Sequence, residues 1–322
     1  MLSEFDLIKE YFQRPHHAAR ATLGIGDDCA LITPTPGLQT AISSDMLVEG
    51  RHFFAGEDPL RLGHKALAVN LSDLAAMGAR PVGFTLALAL PEARRDWLHG
   101  FSQGLFALAD AFNIELIGGD TTKGPLNICI TVFGELRPGA ALRRSAARPG
   151  DDIWITGTLG DARLALAGYR QEAALDAAAL RAAAVRMHTP VPRVALGVLL
   201  AEQGIAHAAV DISDGLIGDL GHILKLSQVG ATLDVDALPA GEVLATQPTA
   251  LRRAYTAAGG DDYELCFTAP ASSRQAILAA AGSVATPVTR VGRIEADSGL
   301  RLVDAGGAAL DLKLSSFDHF TS

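Results

Sequence analysis

Five short segments of this chain share one design: an apolar run that ends in glycine or serine followed by aspartate. They are Gly24-Ile25-Gly26-Asp27-Asp28, Ala41-Ile42-Ser43-Ser44-Asp45, Val69-Asn70-Leu71-Ser72-Asp73, Leu116-Ile117-Gly118-Gly119-Asp120 and Val210-Asp211-Ile212-Ser213-Asp214. Gly259-Gly260-Asp261-Asp262 adds a further glycine-acid turn. Read as turns, they punctuate the chain into short strands and helices, each delivering an acid. Small neighbours let backbone and ion approach closely. Asp28, Ser43, Ser44, Asp45, Asp73, Asp120, Asp211 and Asp214 together form an all-oxygen donor set. Such a set suits a hard cation such as Mg2+, which usually arrives with substrate phosphates. Crowded carboxylates repel unless cations sit between them, so the set predicts several ions. Metals that bridge anionic oxygens serve phosphoryl transfer, and Lys123 and Arg144 are available as fixed positive charge. For any single turn, capping a helix or closing a loop is the ordinary use of aspartate; the recurrence favours the metal reading.

A chain of 322 residues exceeds the usual single-core limit and predicts two domains. Its net charge of -9 excludes the basic footprint of non-specific nucleic-acid binding. The longest apolar stretch, around Val82 to Leu90, is too short to span a bilayer. The acidic start, Met1-Leu2-Ser3-Glu4-Phe5-Asp6, lacks the order of a signal peptide, so a cytoplasmic location is expected by exclusion. Cys29, Cys129 and Cys266 form no CxxC pair and read as buried free thiols of a reducing compartment.

Phe5 to Phe12 reads as a short helix, and Arg14 to Thr22, with His16 and His17, as an exposed loop. Cys29 to Ile32 and Thr40 to Ser43 look like paired strands around Pro34-Thr35-Pro36-Gly37. Asp58-Pro59 starts a helix and Gly78 stops it. Along it Leu62, Ala66, Val69, Asp73 and Met77 share a face, which puts a carboxylate on an apolar stripe, where it needs a partner. Strands follow at 82–90, 115–117 and 127–135, with a helix over 93–112. Pro138-Gly139 through Pro149-Gly150 reads as a junction, giving domains 1–137 and 138–322. In the second half strands alternate with helices. Gly157-Thr158-Leu159-Gly160-Asp161 resembles a phosphate-binding turn but lacks both GxGxxG and the P-loop pattern, so a plain strand-to-helix connection is favoured. The expected fold is α/β of the α+β type: two domains, each a mixed sheet with helices packed on it, and no P-loop.

The motifs Gly24-Ile25-Gly26-Asp27-Asp28-Cys29-Ala30, Lys65 through Ala79, Ile117-Gly118-Gly119-Asp120-Thr121-Thr122, Asp211-Ile212-Ser213-Asp214-Gly215-Leu216 and Asp262-Tyr263-Glu264-Leu265 closely resemble the thiamine-monophosphate kinase family. The likeness runs in order down to Asp318-His319-Phe320. That family belongs with aminoimidazole ribonucleotide synthetase, selenophosphate synthetase and the hydrogenase-maturation dehydratase, which use ATP without a P-loop. The resemblance implies phosphorylation of thiamine monophosphate to thiamine diphosphate by direct in-line transfer from ATP with several Mg2+ ions. It also implies a homodimer whose N-terminal sheets pair, with ATP near the domain junction.

By matching motif, the eight oxygen donors named above would be metal ligands. Gly119, Asp120, Arg144 and Ser213 would contact ATP, and His52, Asp261 and Phe317 the substrate. No acid or base is assigned. Asp261 stands where the family usually has Glu, and Phe317 where Trp or Tyr is frequent, which keeps ring stacking but loses a polar handle. A selenophosphate synthetase would carry a reactive residue before Cys29, and the maturation dehydratase a cysteine in its tail; this chain has neither. A non-catalytic nucleotide-binding regulator is the rival from another class, and retention of every expected acid speaks against it.

Overall fold

The computed structural model describes residues 3–14 and 21–317. The chain divides into two units, one comprising residues up to Leu74 with Ala79–Gly139, the other Ala75–Gly78 with residues from Ala140 onward. The first contains α1 (Glu4–Tyr11), β1 (Ala21–Leu23), β2 (Leu31–Ile32), β3 (Gln39–Val48), α2 (Pro59–Met77), β4 (Arg80–Leu90), α3 (Arg95–Ala111), β5 (Glu115–Lys123) and β6 (Asn127–Leu136). Its four-stranded sheet runs β3-β6-β4-β5, with β4 and β5 parallel and the other pairs antiparallel.

Alternation along the strands puts Phe84, Leu86 and Leu88 with Ile128, Ile130 and Val132 on one buried face. Each such side chain contributes about 1.5–3 kcal/mol by leaving water. Helix α2 lies on that face, since a Cβ on Gly134 would come within 2.9 Å of Leu74. The helix begins where the sequence predicts: the Leu60 N–H donates to Asp58 Oδ1 at 2.9 Å, and Pro59 opens the first turn. It ends with Gly78 at φ +69° and the Ala79 N–H returning to Leu74 O at 2.8 Å, a closure that needs the left-handed residue. Helix α3 crosses α2 backbone to backbone, for a Cβ on Gly104 would sit 1.8 Å from Leu60 O.

The second unit contains β7 (Asp151–Thr156), α4 (Asp161–Tyr169), α5 (Ala177–His188), α6 (Val194–Glu202), β8 (Ala208–Asp211), α7 (Leu216–Ser227), β9 (Gly230–Asp234), α8 (Thr249–Ala258), β10 (Leu265–Pro270), α9 (Arg274–Ser283), β11 (Val288–Glu295) and β12 (Gly299–Val303). Its sheet order is β12-β9-β11-β7-β10-β8, antiparallel except for β12 with β9. Both faces are covered. Ile153 and Ile155 pack with Leu220 and Ile223 of α7 on one side, while Trp154 and Phe267 pack with Leu196 of α6 and Ile277 of α9 on the other. The architecture is the expected pair of mixed α/β sheets.

Three local expectations are corrected. Strand β2 pairs with β1, not with β3, and β3 pairs with β6 along its whole length. Ser43-Ser44-Asp45 and Gly118-Gly119-Asp120 are not turns, for both lie inside strands, whereas Asn70 to Asp73 lies in α2, the helix the sequence predicts. All three cysteines are free, but only Cys266 is buried; Cys29 is exposed and Cys129 half-buried. Burial pushes the Cys266 thiol well above its ordinary value. Strand β12 was not anticipated. His16, His17 and the tail from Asp318 lie outside the described residues.

Candidate active site

In the first unit all the oxygen donors but Asp28 are displayed by regular elements. Paired residues of an antiparallel ladder point to the same face. Ser43 is opposite Val132, and Asp45 opposite Ile130, so both lie on the face covered by α2. There Ser43 Oγ donates a short hydrogen bond to Asp73 Oδ2, joining a β3 hydroxyl to the α2 carboxylate. Asp73 is half-buried, and this contact answers the partner demanded by its place among apolar residues. Next to it the Asp45 N–H donates to Asn70 Oδ1 at 3.1 Å, and Asn70 Nδ2 is held by Ala66 O at 2.9 Å.

Ser44 lies on the opposite, uncovered face, where its hydroxyl meets Thr131 Oγ1 at 2.9 Å and Ile130 O at 3.1 Å. Asp120 shares that face, in the row of Met46, Cys129 and Ala87, with two strands between it and β3. Gly119 has φ +145°, and a Cβ there would fall 1.9 Å from Leu86 O, so the strand reaches Asp120 only with glycine before it. Asp28 is exposed on the loop between β1 and β2, its N–H bonded to Asp27 Oδ1 at 2.9 Å. His52 Nδ1 accepts from the Val48 N–H at 3.0 Å, which in the neutral ring leaves the proton on Nε2.

In the second unit the candidates sit on loops, and these loops are stitched together. Asp211 ends β8, 4% exposed, and Ser213-Asp214-Gly215 follows. The Asp261 N–H donates to Ser213 O, and the Tyr263 N–H to Ile212 O, both at 2.8 Å. The Phe317 N–H donates to Asp214 O at 3.1 Å. Ser213, Asp214, Asp261 and Phe317 are thereby brought onto one assembly. Asp261 and Tyr263 have φ of +72° and +50°, conformations costing about 1–3 kcal/mol that persist only where the surroundings impose them. Arg144 begins a single turn, Arg144–Ala146, tied to α7 by the Ser227 hydroxyl, which donates to Arg144 O at 2.8 Å.

Three acids that the sequence reading left without a role support these loops. Asp219 Oδ2 accepts the N–H groups of Ser213, Asp214 and Gly215, each at 3.1 Å. Burial, then the neighbouring charge of Asp214, push its carboxyl up to about 7, against those hydrogen bonds and Arg144. Asp262 accepts the Gly160 N–H at 2.9 and 3.1 Å, and burial drives its carboxyl well above the usual range. The turn that resembled a phosphate site is therefore closed by the chain's own acid and serves as the strand-to-helix connection expected. Glu264, fully buried, receives Arg193 Nε and Nη2 at 2.6 Å each, Thr156 Oγ1 at 2.6 Å and Arg186 Nη2. Asp219 lies one residue beyond the capping-box position of α7, which Gly218 occupies, so the usual cap pattern does not reveal it. Nothing local in the sequence marks Glu264 as the centre of a two-arginine clamp.

Among the described residues no three His, Cys, Asp or Glu side chains form one group able to hold a metal. The donors are dispersed within each unit: Ser43, Asp45 and Asp73 lie on one face, Ser44 and Asp120 on the other with two strands between them, and Asp28 on a loop, while Asp211 ends β8 and Asp214 follows it on the next loop.

The profile of the family described as AIR synthase related protein, N-terminal domain, matches residues 26–136, and that of its C-terminal domain residues 148–305. Over 325 residues the chain is 45% identical to the thiamine-monophosphate kinase of Salmonella typhimurium, covering 99% of this chain and 98% of that protein. The chain belongs to the thiamine-monophosphate kinase family. The kinase of this family solved from Stenotrophomonas maltophilia matches with a TM-score of 0.84 at 47% identity, covering 91% of this chain and 93% of that one. AaThiL complexed with AMPPCP and TMP matches at 0.76 and 28% identity, covering 92% of each chain.

Proposed function

We propose that the chain transfers the γ-phosphoryl group of ATP to thiamine monophosphate, forming thiamine diphosphate and ADP. Full-length identity with kinases of that name, and the neighbour solved with AMPPCP and TMP, support this reading. The structural observation that carries it is the shared assembly of Ser213, Asp214, Asp261 and Phe317, which places nucleotide-side and substrate-side candidates on one set of backbone hydrogen bonds. An oxygen of the substrate phosphate attacks the γ-phosphorus in line, and the bond to the β,γ-bridging oxygen breaks. ADP leaves with that electron pair. The attacking phosphate is already anionic near neutrality, so no side chain has to remove a proton.

Asp28, Ser43, Ser44, Asp45, Asp73, Asp120, Asp211 and Asp214 would hold several Mg2+ ions. The donors present are all oxygens, which fits Mg2+. Their spread, with Ser43 and Asp45 on one face of the first sheet, Ser44 and Asp120 on the other, and Asp211 and Asp214 in the second unit, fits more than one ion position. Bound Mg2+ neutralises phosphate charge and fixes the in-line arrangement. Gly119, Asp120, Arg144 and Ser213 would contact ATP, while His52, Asp261 and Phe317 meet the substrate. The N-terminal domain, 1–137, would pair with its copy in a homodimer through the uncovered sheet face. That face ends at the edge strand β3, where Ile42 is 64% and Met46 54% exposed. The C-terminal domain, 138–322, would supply the tail over the substrate. Free thiols, and the lack of any described helix long and apolar enough to cross a membrane, support a cytoplasmic place.

The test is ADP release from purified protein with ATP, Mg2+ and either thiamine monophosphate or thiamine. Turnover with the monophosphate alone is expected. Silence with both, alongside binding of MgATP, would replace the kinase with a nucleotide-binding regulator.

A further inference from the structure

We propose that Asp219 is a positioning residue that sets the nucleotide and substrate sides of the second unit with a single carboxylate oxygen; this rests on the kinase reading above. Oδ2 collects three consecutive backbone N–H groups, those of Ser213, Asp214 and Gly215, from the first turn of α7. A cap that merely finished the helix would need only the Gly215 N–H, the one at the helix boundary. The three N–H groups belong to three consecutive planar peptide units, whose carbonyls are those of Ile212, Ser213 and Asp214. Those carbonyls are the anchors of the other side: Ile212 O holds the Tyr263 N–H at 2.8 Å, Ser213 O the Asp261 N–H at 2.8 Å, and Asp214 O the Phe317 N–H at 3.1 Å.

The surroundings allow little slack. A Cβ on Gly215 would meet Ala258 O at 2.7 Å, and a Cβ on Gly260 would meet Ser213 O at 2.6 Å. Asp219 itself is 4% exposed, so cutting back the side chain takes the acceptor from three N–H groups in a place closed to bulk solvent. Loss of the anchor therefore disturbs ATP-side and substrate-side residues together, whereas loss of one ligand disturbs its own side.

Asp219→Ala and Asp219→Asn separate this role from a general one, because the asparagine oxygen can still accept the three N–H groups. In the ADP-release assay Asp219→Ala should lose about tenfold or more in kcat and raise KM for both ATP and thiamine monophosphate, the scale seen when a ligand's supporting partner is removed. Asp219→Asn should recover to within about threefold. In parallel, amide hydrogen exchange should accelerate at Ser213, Asp214 and Gly215 in the alanine variant alone, with Ile223 and Leu224 of α7 unchanged. A folded alanine variant that keeps kcat and both KM values near wild type overturns the proposal. So does one that loses activity while exchange at the three amides stays slow. If Asp219→Ala does not fold, Asp219→Ser takes its place in the same comparison. Wild-type protein that turns over no thiamine monophosphate would end the kinase reading, and the exchange data would still decide the anchor.

Discussion

The two units present their proposed ligand acids by opposite means. In the first, Ser43, Asp45, Asp73 and Asp120 stand in the middle of strands and a helix, so the ladder of β3 with β6 and the packing of α2 determine where each side chain goes. In the second, Asp214 and Asp261 stand on loops in which Asp261 and Tyr263 have left-handed backbones, and buried acids must hold those loops in shape. A site carried on regular elements gets its precision from the fold itself. A site carried on loops gets it from a second layer of polar contacts, and that layer becomes a point of failure.

The largest effect should come from breaking that second layer. Glu264→Ala would leave Arg186 and Arg193, 18% and 14% exposed in their side chains, without their buried counter-charge. Removing one partner of such a cluster costs about 3–5 kcal/mol. Urea unfolding should show a midpoint reduced accordingly; a midpoint close to wild type would mean that the loop unit does not depend on its clamp.

Next come the acids of the first unit, where the comparison predicts loss of activity without loss of fold. Asp73→Asn and Asp120→Asn should each lower turnover roughly 100-fold, as expected when a charge-stabilising group is removed from such a site. Their melting temperatures should stay near wild type, because Asn keeps a hydrogen-bonding oxygen for Ser43 and Asp120 is exposed. Near-wild-type rates in both variants would remove the metal-ligand assignment.

What could be read from the sequence follows the same division. Helix α2 was legible because both of its ends are local: Asp58-Pro59 at the start and Gly78 at the finish. The kinase-family motifs were legible as strings. Their conformations were not, since serine, glycine and aspartate are also the residues of turns, and Ser43-Ser44-Asp45 and Gly118-Gly119-Asp120 were misread for that reason. Their place in strands depends on β6 and β4, partners far along the chain. Strand β2 failed for a different reason: two residues carry almost no periodic pattern, and its partner β1 is only three residues long. Asp219 and Glu264 escaped because their function is visible only as the N–H groups and guanidinium groups around them.

A smaller effect tests whether ion pairs away from the loops behave as ordinary stabilisers. Asp152 is 2% exposed, and the guanidinium of Arg274, bonded through Nε at 2.6 Å and Nη2 at 2.8 Å, holds its carboxyl below the usual carboxylate range. A lowered folded value means that the contribution is complete above the unfolded pKa and is lost as pH falls through the folded one. Asp152→Asn should thus be about 1–3 kcal/mol less stable at neutral pH. The gap between the two proteins should narrow below pH ~4. A gap that is independent of pH would assign the loss to packing.

The smallest effect sharpens the comparison within the loop unit itself. Phe317 is attached through its backbone, the N–H donating to Asp214 O, while the residue is 40% exposed. Phe317→Ala therefore removes the ring and keeps the attachment. If the ring stacks on the substrate, its loss is worth about 0.5–1.5 kcal/mol, a rise of roughly 2- to 13-fold in the KM for thiamine monophosphate. The KM for ATP should not move, because Ser213 and Asp214 remain held by Asp219. Phe317→Trp, which restores a ring, should return the KM toward wild type. An equal rise in both KM values would show instead that the tail steadies the Ser213-Asp214 loop, making Phe317 part of the supporting layer and not a surface that meets the substrate.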